Sequence, residues 1–211
     1  MMKTAKIYLI LLLTFGAINT GISQFGIGMT AGVDLYNRYS NPIDQTGKHR
    51  ANGSVILNLA VGPKIWVGGE NFSVSVETQA NLGLLAMSLP DFKGLGNVSF
   101  PVIGKLNFAG LSGLNKEGRF GLSLGGGIQF NKTELYYQTS DFKELGGERK
   151  FFKTYVVHVG YGFGISGFGV QLFTRYGFNP DLDGANSLNV GLQFDFNFSK
   201  LKKIDDPNSR L

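Results

Sequence analysis

Residues 72–84 read FSVSVETQANLGL, and this stretch decides the fold class. Its even positions carry apolar residues and Thr78, while its odd positions carry serine, glutamate, glutamine, asparagine and glycine. Successive side chains of a β-strand point to opposite faces of the sheet, so this period of two predicts a strand with one apolar and one polar face. A slip of one residue would invert every side chain, so the pattern also restricts the register.

The same alternation recurs along the rest of the chain. It covers residues 25–36, 54–64, 97–108, 120–130, 154–163, 168–178 and 188–198. Each segment is about as long as the roughly 9–11 residues that a tilted strand needs to cross a bilayer. The composition agrees, because 31 glycines and 18 phenylalanines are poor for helices and common in all-β chains with tight turns. The sequence therefore predicts an all-β fold of eight strands.

Long and short connections alternate between these segments. Long polar connections lie at residues 39–52, 88–96, 131–150 and 179–187, and tighter ones lie at 68–71, 110–118 and 166–167. Barrels of bacterial outer membranes have short periplasmic turns and longer external loops. We therefore predict a closed antiparallel eight-stranded up-and-down transmembrane β-barrel with both termini in the periplasm.

The two faces of the segments indicate which side meets lipid. A soluble secreted barrel would also alternate, but its narrow bore could not pack so many apolar side chains. The apolar face is therefore expected to point outward, toward lipid. Aromatic residues near the strand ends fit the girdles that flank the hydrocarbon. Those expected in the girdles are Phe25, Trp66, Phe72, Phe108, Phe120, Phe130, Tyr155, Phe163, Phe168 and Phe178.

The N-terminal segment has the three parts of a secretory signal. Lys3 and Lys6 are basic, residues 7–17 are apolar, and small residues precede a cut that we place after Ser23. The apolar part is about half the roughly 20 residues of a membrane-spanning helix, although an uncleaved anchor is the alternative. The expected organisation is a signal peptide at 1–23, an outer-membrane barrel at 24–198 and a periplasmic tail at 199–211. The chain contains no cysteine, so lipidation of a cysteine cannot anchor it.

The final segment carries Val190, Leu192, Phe194, Phe196 and Phe198 at alternate positions. It is similar to the aromatic-terminated last strand that the barrel-insertion machinery recognises, although here a tail follows it. On this architecture the chain resembles the small eight-stranded outer-membrane barrels of the OmpA and OmpX kind, in the version where the barrel is the whole protein. The resemblance covers residues 25–198 and involves no family motif.

Ionisable residues on the polar face are expected to form a charge network in the lumen. Its members are Asp34, Arg38, Lys64, Glu77, Lys105, His158, Arg175 and Asp195. Charges in so narrow a space must be paired to offset their desolvation, and Glu77 and Lys105 are expected to pair. A self-satisfied polar plug is favoured over a solute path, because eight strands leave room only for side chains.

Prolines and glycines interrupt the pattern at a few positions. Pro63 and Pro101 cannot donate to a ladder and are expected at bulges or strand starts. Lumen glycines concentrate on the fifth to seventh strands, where they would make room for long side chains such as Tyr36 and Phe173, or else leave a small cavity.

Enzymatic function would have to use one of two histidines. His158 could form a triad with Ser123 and Asp195 in the lumen. His49, near Ser40 and Asp44 in the first external connection, could serve an enzyme that acts on surface lipid. Two isolated histidines without a carboxylate cluster indicate no transition-metal site, and no cofactor is expected.

The sequence thus favours a non-enzymatic outer-membrane barrel with a structural, adhesion or envelope-assembly accessory role. Its expected location is the cell outer membrane and its expected partners are outer-membrane lipid and envelope proteins, bound through the loops 39–52 and 131–150. A net charge of +5 is too small to favour nucleic acid. The alternatives are a lipid-modifying outer-membrane enzyme and a conduit for small apolar solutes.

Overall fold

The computed structural model describes residues 24–42, 52–55, 58–89, 94–112, 118–136 and 149–198. The predicted signal peptide at 1–23, the tail at 199–211 and His49 lie outside the described residues, as do most of the two predicted partner-binding loops.

Ten strands and one short helix make up the described chain. The strands are β1 (Gln24–Ser40), β2 (Asn52–Val55), β3 (Asn58–Gly68), β4 (Phe72–Thr78), β5 (Ala80–Leu89), β6 (Leu95–Ala109), β7 (Arg119–Tyr136), β8 (Phe152–Ile165), β9 (Phe168–Phe178) and β10 (Asn186–Asn197). A 3-10 helix (Gly110–Ser112) follows β6. No helix of the described chain is long and apolar enough to cross a membrane.

The strands form one closed antiparallel barrel. Its ring of eight runs β1-β10-β9-β8-β7-β6-β4-β3 and closes where β3 pairs with β1. The second strand of the barrel consists of β2 followed by β3, and the third consists of β4 followed by β5. Toward the end with the long connections, β2 pairs with β1 and β5 pairs with β6. Neighbours in sequence are neighbours in the ring, so the predicted eight-stranded up-and-down barrel is confirmed.

The wall is apolar outside and polar inside. Large hydrophobic side chains are exposed on seven of the eight strands of the ring, among them Phe25, Leu59, Val76, Val102, Leu124, Val159 and Leu172. The outward side chains of β10 are half-buried, and the exposed Phe198 directly follows that strand. The intervening residues are buried and mostly polar. An outward apolar belt around a polar interior is the arrangement of a transmembrane β-barrel.

A β-bulge in β1 overturns one part of the predicted charge network. The β1–β10 register shifts between Asp34 and Tyr36, and both Leu35 and Tyr36 are exposed. The extra residue inverts the faces beyond it, because side-chain direction alternates with a period of two. The expectation that Arg38 and Tyr36 point into the lumen is therefore wrong: Arg38 is exposed, and its neighbour Asn37 is buried in its place.

The expectation that Pro63 and Pro101 mark bulges or strand starts is also wrong. Pro63 lies within β3 and pairs in regular register with Met29, and Pro101 lies within β6 opposite Gln129. Pro63 and Pro101 instead lie on the two strands that neighbour Gln79, the residue between the end of β4 and the start of β5.

Tight turns and buried apolar groups close the end of the barrel where β1 begins and β10 ends. Ser166 and Gly167, with φ values of 49° and 89°, join β8 to β9 in a two-residue turn. Leu111 of the 3-10 helix is buried, and its Cδ2 would lie 3.7 Å from a Cβ at Gly169 on the lumen wall. Trp66 is only 2% exposed, so its expected place in an aromatic girdle is wrong.

Strand β7 continues farther than the sequence predicts. Asn131 pairs with Phe152 of β8, and Thr133 pairs with Asn97 of β6, so the barrel wall occupies the first part of the predicted 131–150 loop. At 18 residues, β7 exceeds the roughly 9–11 that cross a bilayer, and its outer end therefore rises beyond the hydrocarbon.

Candidate functional site: the lumen network

A buried ion pair forms the centre of the lumen. Lys105 Nζ on β6 lies 2.6 Å from Glu77 Oε1 on β4, and both side chains are almost completely buried. Lys105 also donates to Gln193 Oε1 at 3.1 Å, while Gln193 Nε2 donates to Glu77 Oε2 at 3.0 Å. The amide thus contacts both members of the pair, and the three side chains close a ring of polar contacts.

A second ion pair is joined to the first through the same amide. Lys64 Nζ on β3 lies 3.2 Å from Asp195 Oδ2 on β10. Gln193 Nε2 donates to Asp195 Oδ1 at 2.8 Å, and Gln171 Nε2 donates to Asp195 Oδ2 at 3.1 Å. These contacts offset the desolvation penalty of the buried charges, because each charge has an opposite charge and further hydrogen bonds.

Hydrogen bonds cross the bore between strands on opposite sides of the ring. Lys105 on β6 reaches Gln193 on β10, and Arg175 Nη2 on β9 donates to Gln79 Oε1 at 3.3 Å. Gln79 Nε2 also lies 3.3 Å from Gln193 Oε1. Because each direct bond spans the bore, these side chains occupy its cross-section at this level.

The remaining buried charges have polar or aromatic neighbours. Asp34 Oδ2 accepts from Asn189 at 2.6 Å and Asn58 at 3.2 Å. The Arg175 guanidinium lies over the Phe173 ring at 5.0 Å. Within the network, the buried acids Asp34, Glu77 and Asp195 match the buried bases Lys64, Lys105 and Arg175 in number, so its formal charge is zero when His158 is counted as neutral.

The structure brings together two of the three residues considered for a catalytic triad. Ser123 Oγ lies 3.2 Å from His158 Nε2, but Ser123 donates to Gln171 Oε1 at 2.6 Å. Asp195 contacts Gln171 and has no hydrogen bond to His158, whose Nδ1 has no partner. The carboxylate that would orient a triad histidine is therefore not in place, and Ser123 is completely buried.

Side chains fill the space beside two of the lumen glycines. A Cβ at Gly125 would lie 2.9 Å from Lys105 Cγ, and one at Gly160 would lie 2.1 Å from Gln171 Oε1. The predicted room for long side chains thus serves Lys105 and Gln171, members of the polar network.

At the end with the long connections, sequence reasoning missed two groups of residues. Arg149 pairs with Glu134, and Thr133 Oγ1 donates to Asn41 Oδ1 at 2.6 Å. These contacts join β7 to the residue that follows β1 and to the residues that precede β8. Outside the wall, Lys153 Nζ lies 4.8 Å from the centre of the Tyr155 ring. The alternation placed Tyr155 on the outer face, but it gave no signal for these contacts, because they lie where regular strands begin or end.

The described residues contain no group of three or more histidine, cysteine, aspartate or glutamate side chains that could hold a metal ion. What the arrangement can do chemically is to neutralise its own charges and to fill the bore.

Solved structures similar to this chain share little sequence with it. No protein-family model and no curated protein sequence matches the chain. Among solved structures, it is similar to Neisserial surface protein A (10% identity, TM-score 0.44), covering 82% of this chain and 97% of that one. It is also similar to the N-terminal β-barrel domain of Pseudomonas aeruginosa OprF (8% identity, TM-score 0.39), covering 82% of this chain and 100% of that one.

A third similar structure is Ail, the attachment invasion locus protein of Yersinia pestis, in complex with the heparin analogue sucrose octasulfate. The identity is 14% and the TM-score 0.38, covering 82% of this chain and 99% of that one. All three neighbours are small eight-stranded outer-membrane barrels of the OmpA and OmpX kind, the kind that the sequence resembles. The fold assignment rests on the strand pairing of this chain itself, and these likenesses say nothing about its function.

Proposed function

We propose that the chain is a non-enzymatic outer-membrane barrel that acts as a closed scaffold and presents its external connections to an envelope or surface partner. One observation carries the proposal: Lys105–Gln193 and Arg175–Gln79 hydrogen bonds cross the bore between opposite strands. A lumen occupied by its own neutralised side chains stabilises the barrel and leaves no continuous water path at that level.

Membrane placement is tested by fractionating the cell envelope and comparing boiled and unboiled protein on a gel. A lipid-facing closed barrel is expected in the outer-membrane fraction, as a compact fast band that slows on boiling. A soluble periplasmic protein without this shift would contradict the proposal.

Export is part of the same proposal, with residues 1–23 as a cleaved signal. N-terminal sequencing of the protein from the outer-membrane fraction is expected to begin at Gln24. A mature protein that begins at Met1 would instead indicate an uncleaved anchor.

The closed lumen predicts the absence of steady conductance in planar bilayers. The alternative function, a conduit for small apolar solutes, requires an open path. The variant Q79A/Q193A removes amides that join opposite sides of the bore, and its conductance is compared with that of the unaltered protein. Stable channels formed by the unaltered protein would favour the conduit.

The enzymatic alternative is favoured only by the contact between Ser123 and His158. A fluorophosphonate probe labels activated serines, and the folded protein is expected to remain unlabelled because Ser123 is buried and His158 lacks an orienting carboxylate. Labelling that disappears in S123A would show an activated serine and contradict the non-enzymatic assignment.

The partner-binding role is assigned to the connections between β1 and β2 and between β7 and β8. Charged and aromatic residues in the second connection, including Lys143, Glu144, Tyr137 and Phe142, suit a protein or sugar contact. Replacing residues 137–148 with a short Gly-Ser linker is expected to keep the heat-dependent gel shift and to abolish in-cell cross-links to the partner. Unchanged cross-links would exclude this connection.

A further inference from the structure

Two prolines on neighbouring strands weaken the ladder at one point of the wall. The pairs Lys64–Glu77 and Val61–Ala80 place Pro63 opposite Thr78, and the pairs Thr78–Val102 and Asn81–Ser99 place Pro101 opposite Gln79. Gln79 donates its N–H to the Pro101 carbonyl at 3.1 Å, but neither proline has an N–H to return. The third strand therefore loses ladder bonds on both sides within two residues.

An apolar groove lies on the outer wall at this point. It has a volume of about 320 Å³, within the roughly 300–1,000 Å³ of small-molecule pockets. Its walls are Pro63, Ile65, Val76, Thr78 and Val102. Lys64 and Glu77 complete its lining, while their charged groups are held by the ion pairs of the lumen.

The groove is continuous with the lipid-facing belt. Ile65, Val76 and Val102 are exposed members of that belt. Pro63 lies five residues before the end of β3, and Val102 lies seven residues before the end of β6. With a rise of about 3.3 Å per residue and a strand tilt of about 40°, the groove lies roughly 13–18 Å above the short turns. That height is near the middle of a hydrocarbon layer about 30 Å thick, where acyl chains are the molecules at hand.

We propose that this groove, which we name the proline groove, binds one acyl chain of a membrane phospholipid in preference to the rest of the barrel wall. Filling it removes apolar surface from a recess that a flat lipid boundary would leave poorly packed, and dispersion contacts are lost wherever such a gap remains. The proposal rests on the proposed membrane placement of the barrel.

The test uses the full barrel in vesicles that contain a small fraction of phospholipid with a photoreactive diazirine in the middle of one acyl chain. After illumination, mass spectrometry locates the cross-links. The variant V102F fills the proline groove, and V159F adds the same bulk to the exposed face of β8 as a matched control. Boiled and unboiled gel mobility shows that each variant is a folded, inserted barrel.

The expected result is several-fold more label on residues 58–78 than on 152–165. V102F is expected to remove this excess, and V159F is expected to keep it. Even labelling around the wall, or an excess that persists in V102F, would overturn the proposal while the gel shift still supported a membrane barrel. Absence of the gel shift would instead overturn the membrane placement itself.

Discussion

Lys105 and Glu77 form an ion pair inside the barrel, with 2.6 Å between Nζ and Oε1 and almost no exposure of either side chain. Gln193 contacts both charges and joins this pair to Lys64 and Asp195. A buried pair of this kind contributes less net stability than its Coulomb attraction suggests, because both charges leave water. Its removal has different consequences depending on whether one partner or both are removed.

The variant E77Q leaves the Lys105 ammonium buried without its carboxylate. We expect it to lower the free energy of unfolding by about 3–5 kcal/mol, the cost of breaking a buried pair from one side. The double variant E77Q/K105M removes the uncompensated charge and is expected to recover a large part of this loss. Urea unfolding in lipid vesicles, followed by the heat-dependent gel shift, measures both. Equal losses in the single and double variants would contradict the expectation that the uncompensated Lys105 charge causes the loss.

The bulge at Leu35 predicts which residues near the end of β1 face outward. The chain has no cysteine, so the single-cysteine variants R38C and N37C give clean labelling. R38C is expected to react with a membrane-impermeant maleimide in the folded barrel, because Arg38 is exposed, whereas N37C is expected to react only after unfolding. The opposite order of reactivity would mean that the alternation of β1 continues without a bulge.

The sequence predicted the lumen side of Lys64, Glu77 and Lys105 because no bulge shifts the strand register around them. It failed at Arg38 because the bulge is an irregularity of the backbone, and neither glycine nor proline marks it. It failed at Trp66 because an aromatic residue near a strand end was assigned by type. The parity that Trp66 shares with Lys64 would have placed it inside.

The residues that cross the bore were not predictable in the same way. The alternation over residues 188–198 places Gln193 on the polar face, but its contact with Lys105 depends on the relative heights of β6 and β10 on opposite sides of the ring. Those heights follow from the stagger of all the strands between them, which the alternation within one strand does not contain.

The turn between β8 and β9 predicts a difference between two glycines at the same end of the barrel. Gly167 has a φ of 89°, which is unfavourable for a residue with a Cβ, while a Cβ at Gly69 would meet nothing within 4 Å. G167A is therefore expected to lower the free energy of unfolding by about 1–2 kcal/mol. G69A, the matched control, is expected to change it little. The same urea titration compares them, and equal effects would contradict the turn geometry.

The buried position of Trp66 predicts how the fluorescence of the chain responds to lipid. Trp66 is the single tryptophan in the sequence, and it points into the lumen, where the wall separates it from acyl chains. Phospholipids brominated along their chains are therefore expected to quench its emission only weakly in vesicles. The variant W66F/F72W moves the indole to the exposed outer face near the same end, where Phe72 packs 5.3 Å from Phe108, and strong quenching is expected there. Equally strong quenching of Trp66 would return it to the lipid-facing girdle and would remove it from the residues that close the lumen.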